Sequence, residues 1–153
     1  MTLLFDLDGV LRNLHFWCPD IAEWTQKFNG LSFCDTVDRD LSILETAPPT
    51  EYYPVVKDLP NLVILTHQPP KWYRGTTRWC KRYLPQASVV FVDEAWHKMM
   101  FLGDETLLIE DSPVLPDYSR IILIDRPYNQ AVTGCYERVS IPVRLGEIID
   151  QYA

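Results

Sequence analysis

The chain repeats one pattern, a short continuous apolar run bounded on each side by polar or proline-containing segments. The runs are Leu3 to Phe5, Leu62 to Leu65, Val89 to Val92, Leu107 to Ile109 and Ile121 to Ile124. A strand with one wet face alternates apolar and polar residues, so unbroken runs predict strands covered on both faces, as in a parallel sheet. Between the runs the spacing becomes helical. Trp72 to Leu84 places Tyr73, Thr76, Thr77, Cys80 and Leu84 on one face, and Leu145 to Tyr152 predicts a terminal amphipathic helix. Strands alternating with helices imply a doubly wound α/β sheet with right-handed crossovers.

The segment from about 14 to 57 breaks this rhythm. Pro19 to Phe28 predicts a helix stopped by Asn29-Gly30, and Asp38 to Leu44 predicts a second, weaker one ended before Pro48-Pro49. The expected organisation is a single domain over 1–153, with a core of 1–13 and 58–153 and a small helical cap inserted after the first strand.

In an open parallel sheet, ligands bind beyond the carboxyl ends of the strands, so the residues just after each apolar run are the informative ones. The first run is followed by Asp6, Asp8 and Gly9, the second by Thr66 and His67, and the fourth by Glu110 and Asp111. Lys98 lies on the connection between the third and fourth runs. Along an extended chain, residues i and i+2 project to the same side, so Asp6 and Asp8 can face one point. Like charges so close raise one another's pKa unless a cation separates them. Magnesium suits that place, because it takes hard oxygen ligands and needs only one or two carboxylates beside a substrate phosphate. A carboxylate approaching a phosphate at about 4 Å is repelled by roughly 4 kcal/mol per charge pair at an effective dielectric near 20. The ion and Lys98 can cancel that repulsion, Thr66 can donate to a phosphate oxygen, and Gly9 leaves room for close approach. Asp6 is then placed as a nucleophile and Asp8 as the acid and base.

Composition narrows the field. With 153 residues and a formal charge of -7, the chain can bury one sizeable core but offers no broad basic footprint for duplex nucleic acid or an anionic membrane. Its four cysteines show neither C-x-x-C spacing nor histidine partners at zinc-site intervals, and are expected to be reduced and mostly buried. No stretch has the length of a membrane span, and Asp6 cuts the first apolar run too soon for a signal peptide. The expectation is a soluble, cytoplasmic protein.

In order, DLDGVL after the first strand, LVILT ending the second, a later lysine, and LLIED ending the fourth resemble the four signature motifs of the haloacid dehalogenase-like phosphohydrolases. Within that superfamily, LTHQPPKWYRGTTRWCKRYLP, LLIEDSP and ILIDRPYNQ are similar to segments of the 5'(3')-deoxyribonucleotidases and their bacterial and phage relatives. The resemblance covers the first 13 residues and nearly all of the chain after about residue 58. It implies a Rossmann-type core, a magnesium ion and a small phosphomonoester substrate such as a (deoxy)nucleoside monophosphate, hydrolysed through an aspartyl-phosphate on Asp6. It further implies that the Asp6 side chain, the Asp8 carbonyl and Asp111, with Glu110 near it, hold the metal, while Thr66 and Lys98, with Gly9 and His67 beside them, meet the phosphate. Glu110 stands where these enzymes commonly have Asp. Phe16 and Trp17 are candidates to stack on a base, with packing between cap and core the commoner use of such residues; Arg126, Tyr128 and Asn129 either form a proline-centred turn or contact substrate, and Arg12 is a candidate to face the phosphate.

Overall fold

The computed structural model describes residues 1–18 and 21–152. Among them six strands form one sheet: β1 (Thr2–Phe5), β2 (Val63–His67), β3 (Ser88–Val92), β4 (Thr106–Glu110), β5 (Ile121–Ile124) and β6 (Glu137–Val139). The order is β3-β2-β1-β4-β5-β6, and every neighbouring pair is parallel. The chain runs outward from β1 to one edge, then returns to build the other half from β4. The point where the order reverses lies between β1 and β4, which is where such sheets open a crevice for ligands.

Period-two alternation divides each central strand between two cores. Phe5, Ile64, Leu107, Ile109, Ile122 and Ile124 face one side, and Leu4, Leu65, Leu108, Ile121 and Leu123 the other. Both sets are buried, which explains why the strands read as unbroken apolar runs. The first face is covered by residues of α3 (Tyr53–Val56), α4 (Tyr73–Tyr83) and α5 (Pro142–Tyr152). The second is covered by a 3₁₀ segment, Ala95–Phe101, and by residues such as Leu115, Tyr118 and Val132 from irregular connections. β6 has no apolar run to announce it. It is three residues long at a sheet edge, and only Val139 is fully buried.

A helical region follows β1, as expected, but its elements differ from those predicted. Ile21 to Phe28 forms turns and bends instead of a helix; Pro19 and Asp20, the start of that expected element, lie outside the described residues. The reason is Asn29-Gly30. Both adopt positive φ, 51° and 79°, and Phe28 and Leu31 exchange two backbone hydrogen bonds across them. The pair makes a tight hairpin turn and not a helix stop. The single helix expected over Asp38 to Leu44 is instead two, α1 (Phe33–Arg39) and α2 (Ile43–Thr46). Asp40 separates them, because its Oδ1 accepts from the Ser42 N–H and hydroxyl and so competes with helical pairing. Ser32 caps α1 by accepting from the Asp35 N–H at 3.1 Å. Tyr52 and Val56, near the end of this region, are buried in the main core.

All four cysteines are free; Cys18 and Cys80 are buried, whereas Cys34 is exposed. No described helix is long and apolar enough to cross a membrane.

Trp79 joins the helical region after β1 to the core. It is fully buried on α4, and its Nε1–H donates to the Ala47 carbonyl at 2.7 Å. Replacing it with alanine is expected to cost about 3–5 kcal/mol. Trp79→Phe should cost less, since the ring remains and only the hydrogen bond is lost. Urea titration reads both as lower midpoints at unchanged slope; a midpoint unmoved by Trp79→Ala would contradict this packing.

Candidate active site

The register of the central strands builds the site. Phe5 pairs with Ile109, and the Asp6 N–H donates to the Ile109 carbonyl at 2.8 Å, so Asp6 comes to lie beside Glu110 at the reversal point. Asp111 follows at once. The 3₁₀ segment between β3 and β4 brings Lys98 onto the same rim, where it is only 4% exposed. Its Nζ donates to Asp6 Oδ1 and Glu110 Oε2, each at 2.7 Å. Asp6, Glu110 and Asp111 are all buried, and each offers an oxygen within 4.8 Å of the others.

The second half of the sheet holds Asp111 in place. Tyr128 donates its hydroxyl to Asp111 Oδ2, and the buried Asn129 amide donates to the carbonyls of Asp111 at 2.9 Å and Ile124 at 2.8 Å. Glu110 Oε1 accepts the backbone N–H groups of Asp111 and Ser112 at 2.9 and 3.1 Å. Gly9 turns away with φ of 84°, and a Cβ there would overlap Asp111 Oδ2. Arg126 fixes that turn by donating Nε and Nη2 to the Gly9 carbonyl at 3.0 and 2.7 Å, while Nη1 pairs with Glu51.

Asp8 lies in an adjoining network. Its carboxylate, 20% exposed, accepts from Arg12 Nε and Nη2 at 2.6 and 3.0 Å and from Gln68 Nε2 at 2.9 Å. The Asp8 side chain is therefore not one of the three clustered carboxylates. Thr66 is buried near the end of β2, and His67, the next residue, is exposed there. Arg12 does not face a phosphate as expected: it is fully buried and its guanidinium donates to Asp8, Thr76 and the Leu44 carbonyl. Trp17 packs against Phe28 and Phe33, with ring centroids 4.9 and 5.8 Å away. Phe16 is 42% exposed and lines a cleft of about 290 Å3 with Gly9, His15, Arg126 and Tyr128.

Sequence reasoning assigned no site role to Gln68 or Thr76. Gln68 carries no sequence signal, and Thr76 is one residue of a helical face. Tyr128 and Asn129 stand at the expected place, but their polar atoms hold Asp111; only Tyr128 also borders the cleft.

Burial pushes the carboxyls of Asp6 and Asp111 well above the usual range, and the neighbouring Glu110 charge pushes them further. Burial acts on Glu110 in the same direction, but the Lys98 ammonium and the hydrogen bonds to its oxygens overcome it and hold its carboxyl low. Burial alone would lower Lys98; Asp6 and Glu110 reverse that and keep it charged. With all three ionised, these carboxylates exceed the one ammonium by two negative charges. A divalent cation closes that balance, and an all-oxygen set with no sulfur or imidazole suits a hard ion. Asp6 Oδ2 and Asp111 Oδ1 accept no hydrogen bond from the described residues, which leaves them as the available donors.

The chain matches no protein-family model and no curated protein.

Without a cation, Asp6 and Asp111 bind protons in the folded state that the unfolded chain has released. Their contribution to stability is full below 3.8, the ordinary value for an aspartate, and is lost as pH rises through the raised values. Glu110 acts oppositely, its contribution being lost only as pH falls below 4.5 through its lowered value. His15, lowered to about 4 chiefly by burial, contributes equally with and without a cation and cancels in the difference. Added divalent cation should therefore raise the melting temperature over EDTA, and the increment should grow from pH 5 to pH 8 as protons cease to compete. An increment of zero, or one that shrinks with pH, contradicts cation binding here. Gly9→Ala should abolish the increment, since its Cβ displaces Asp111.

Proposed function

We propose that the protein is a magnesium-dependent phosphatase of the haloacid dehalogenase-like kind, acting on a small phosphomonoester such as a (deoxy)nucleoside monophosphate. The observation that carries this reading is the buried Asp6, Glu110, Asp111 and Lys98 cluster at the sheet's reversal point. Asp6 and Asp111 are the residues to hold the ion, because each has an oxygen left over, whereas both oxygens of Glu110 are already engaged. Glu110 then serves to hold Lys98. When bound, the ion supplies Lewis acidity and screens the approach of one anion to another.

The chain's own groups divide the remaining work. Asp6 donates an oxygen lone pair to phosphorus, and the bond from phosphorus to the ester oxygen breaks as that oxygen takes a proton from Asp8. In the second half a water returns a proton to Asp8, its oxygen bonds to phosphorus, and the Asp6–phosphorus bond breaks to release inorganic phosphate. Lys98 neutralises Asp6 throughout, and Thr66 is the hydroxyl donor to the phosphate. The cleft beside Gly9, about 290 Å3 and bordered by Phe16 and Tyr128, supports a small ester with an aromatic group.

A second reading, a phosphorylated polynucleotide end, has the charge map in its favour. No acid occurs between Asp58 and Asp93, and Arg74, Lys81 and Arg82 are exposed on α4. A panel of nucleoside monophosphates, sugar phosphates and 5'- or 3'-phosphorylated oligonucleotides, assayed with magnesium, separates the two.

Asp6→Asn should abolish turnover while the far-ultraviolet spectrum stays that of the folded protein, and EDTA should abolish it reversibly. Turnover that persists in that variant removes the nucleophile, and activity indifferent to EDTA removes the metal.

A further inference from the structure

Four side chains close a buried ring behind the acid–base position. Arg12 Nη2 donates to Thr76 Oγ1 at 3.1 Å, Thr76 Oγ1 donates to Gln68 Oε1 at 2.7 Å, Gln68 Nε2 donates to Asp8 Oδ2 at 2.9 Å, and Arg12 returns to Asp8 through Nε and Nη2. Arg12 and Thr76 are fully buried, and Gln68 is 2% exposed. Only Asp8 reaches solvent. A carboxylate offers about four acceptor positions. Two on Oδ2 are taken by Arg12 and Gln68, and one on Oδ1 by Arg12 Nε, so a single position on Oδ1 remains among the described residues.

We infer that Arg12, Gln68 and Thr76 are positioning residues that turn this one Oδ1 lone pair toward the reacting oxygen, so that proton transfer by Asp8 runs through Oδ1. The inference rests on the phosphatase reading above and adds to it the groups that make Asp8 competent. Each member has its partners, so the ring holds one orientation: the Gln68 amide cannot rotate without losing both Thr76 and Asp8, and the Arg12 fork fixes the carboxylate plane. The ring also reaches the helical region after β1, because Arg12 Nη1 donates to the Leu44 carbonyl at 2.8 Å. α2 is thereby tied to the orientation of Asp8.

A purely structural ring and a positioning ring differ in their dependence on the leaving group. A nitrophenolate departs without a proton, whereas a nucleoside alkoxide requires one in the transition state. Gln68→Met keeps the volume and removes both of its ring bonds, and Thr76→Val removes the hydroxyl; neither strips the buried charge that makes Arg12 variants prone to unfold. The test measures kcat/KM for wild type, Gln68→Met and Thr76→Val on p-nitrophenyl phosphate and on a nucleoside 5'-monophosphate, with thermal melts to confirm folding. The expected result is a loss of at least about 10-fold on the nucleotide, carried by kcat more than by KM, with little loss on the aryl ester. Asp8→Asn should show the same bias. Equal losses on both esters, or none, would overturn the inference while leaving the phosphatase reading intact. A wild type inactive on both esters would overturn that reading and this inference with it.

Discussion

Like charge buried at one point governs this structure. Asp6, Glu110 and Asp111 come together where β1 and β4 end side by side, in surroundings that strongly disfavour ionised groups. One ammonium, Lys98, is bonded to two of them and cannot neutralise three. Such a cluster persists only if something else shares the cost, either protons on Asp6 and Asp111 or a cation between them. The same conflict leaves three carboxyl groups that could together hold a metal ion, with a fixed positive charge bonded to two of them.

The rest of the architecture can be read as support for that point. The parallel order places β1 and β4 together at the reversal, the 3₁₀ segment delivers Lys98, and the turn after β5 supplies Tyr128 and Asn129 to hold Asp111 from the far side. Gly9 lets the chain leave β1 without striking Asp111, and Arg126 clamps the turn that follows. Asp8 is anchored separately by charged and amide donors, so the two aspartates of one short loop have different surroundings.

The sheet was legible because burial on both faces writes itself as uninterrupted Leu, Ile and Val, and residues just past such runs must share a rim. Asp6, Glu110 and Asp111 stand at or just past such runs and meet at one place, and Lys98 joins them from the connection between β3 and β4. β6 escaped that reading because Glu137 and Arg138 at an exposed edge leave no apolar run. The helix expected from Pro19 failed over Ile21 to Phe28 because Asn29-Gly30 serves equally well as a hairpin turn, and only tertiary context decides between the two. Arg12 was expected to face the phosphate because a lone arginine carries no sign of burial; its partners Thr76 and Leu44 lie far along the chain, and no local pattern encodes such pairings.

The most direct test of the central claim is a crystal grown with manganese and examined by anomalous scattering. The account predicts one strong peak bonded to oxygens of Asp6 and Asp111, with the Lys98 ammonium still on Glu110. Manganese bound elsewhere on the molecule, with the three carboxylates closed upon one another, would contradict it.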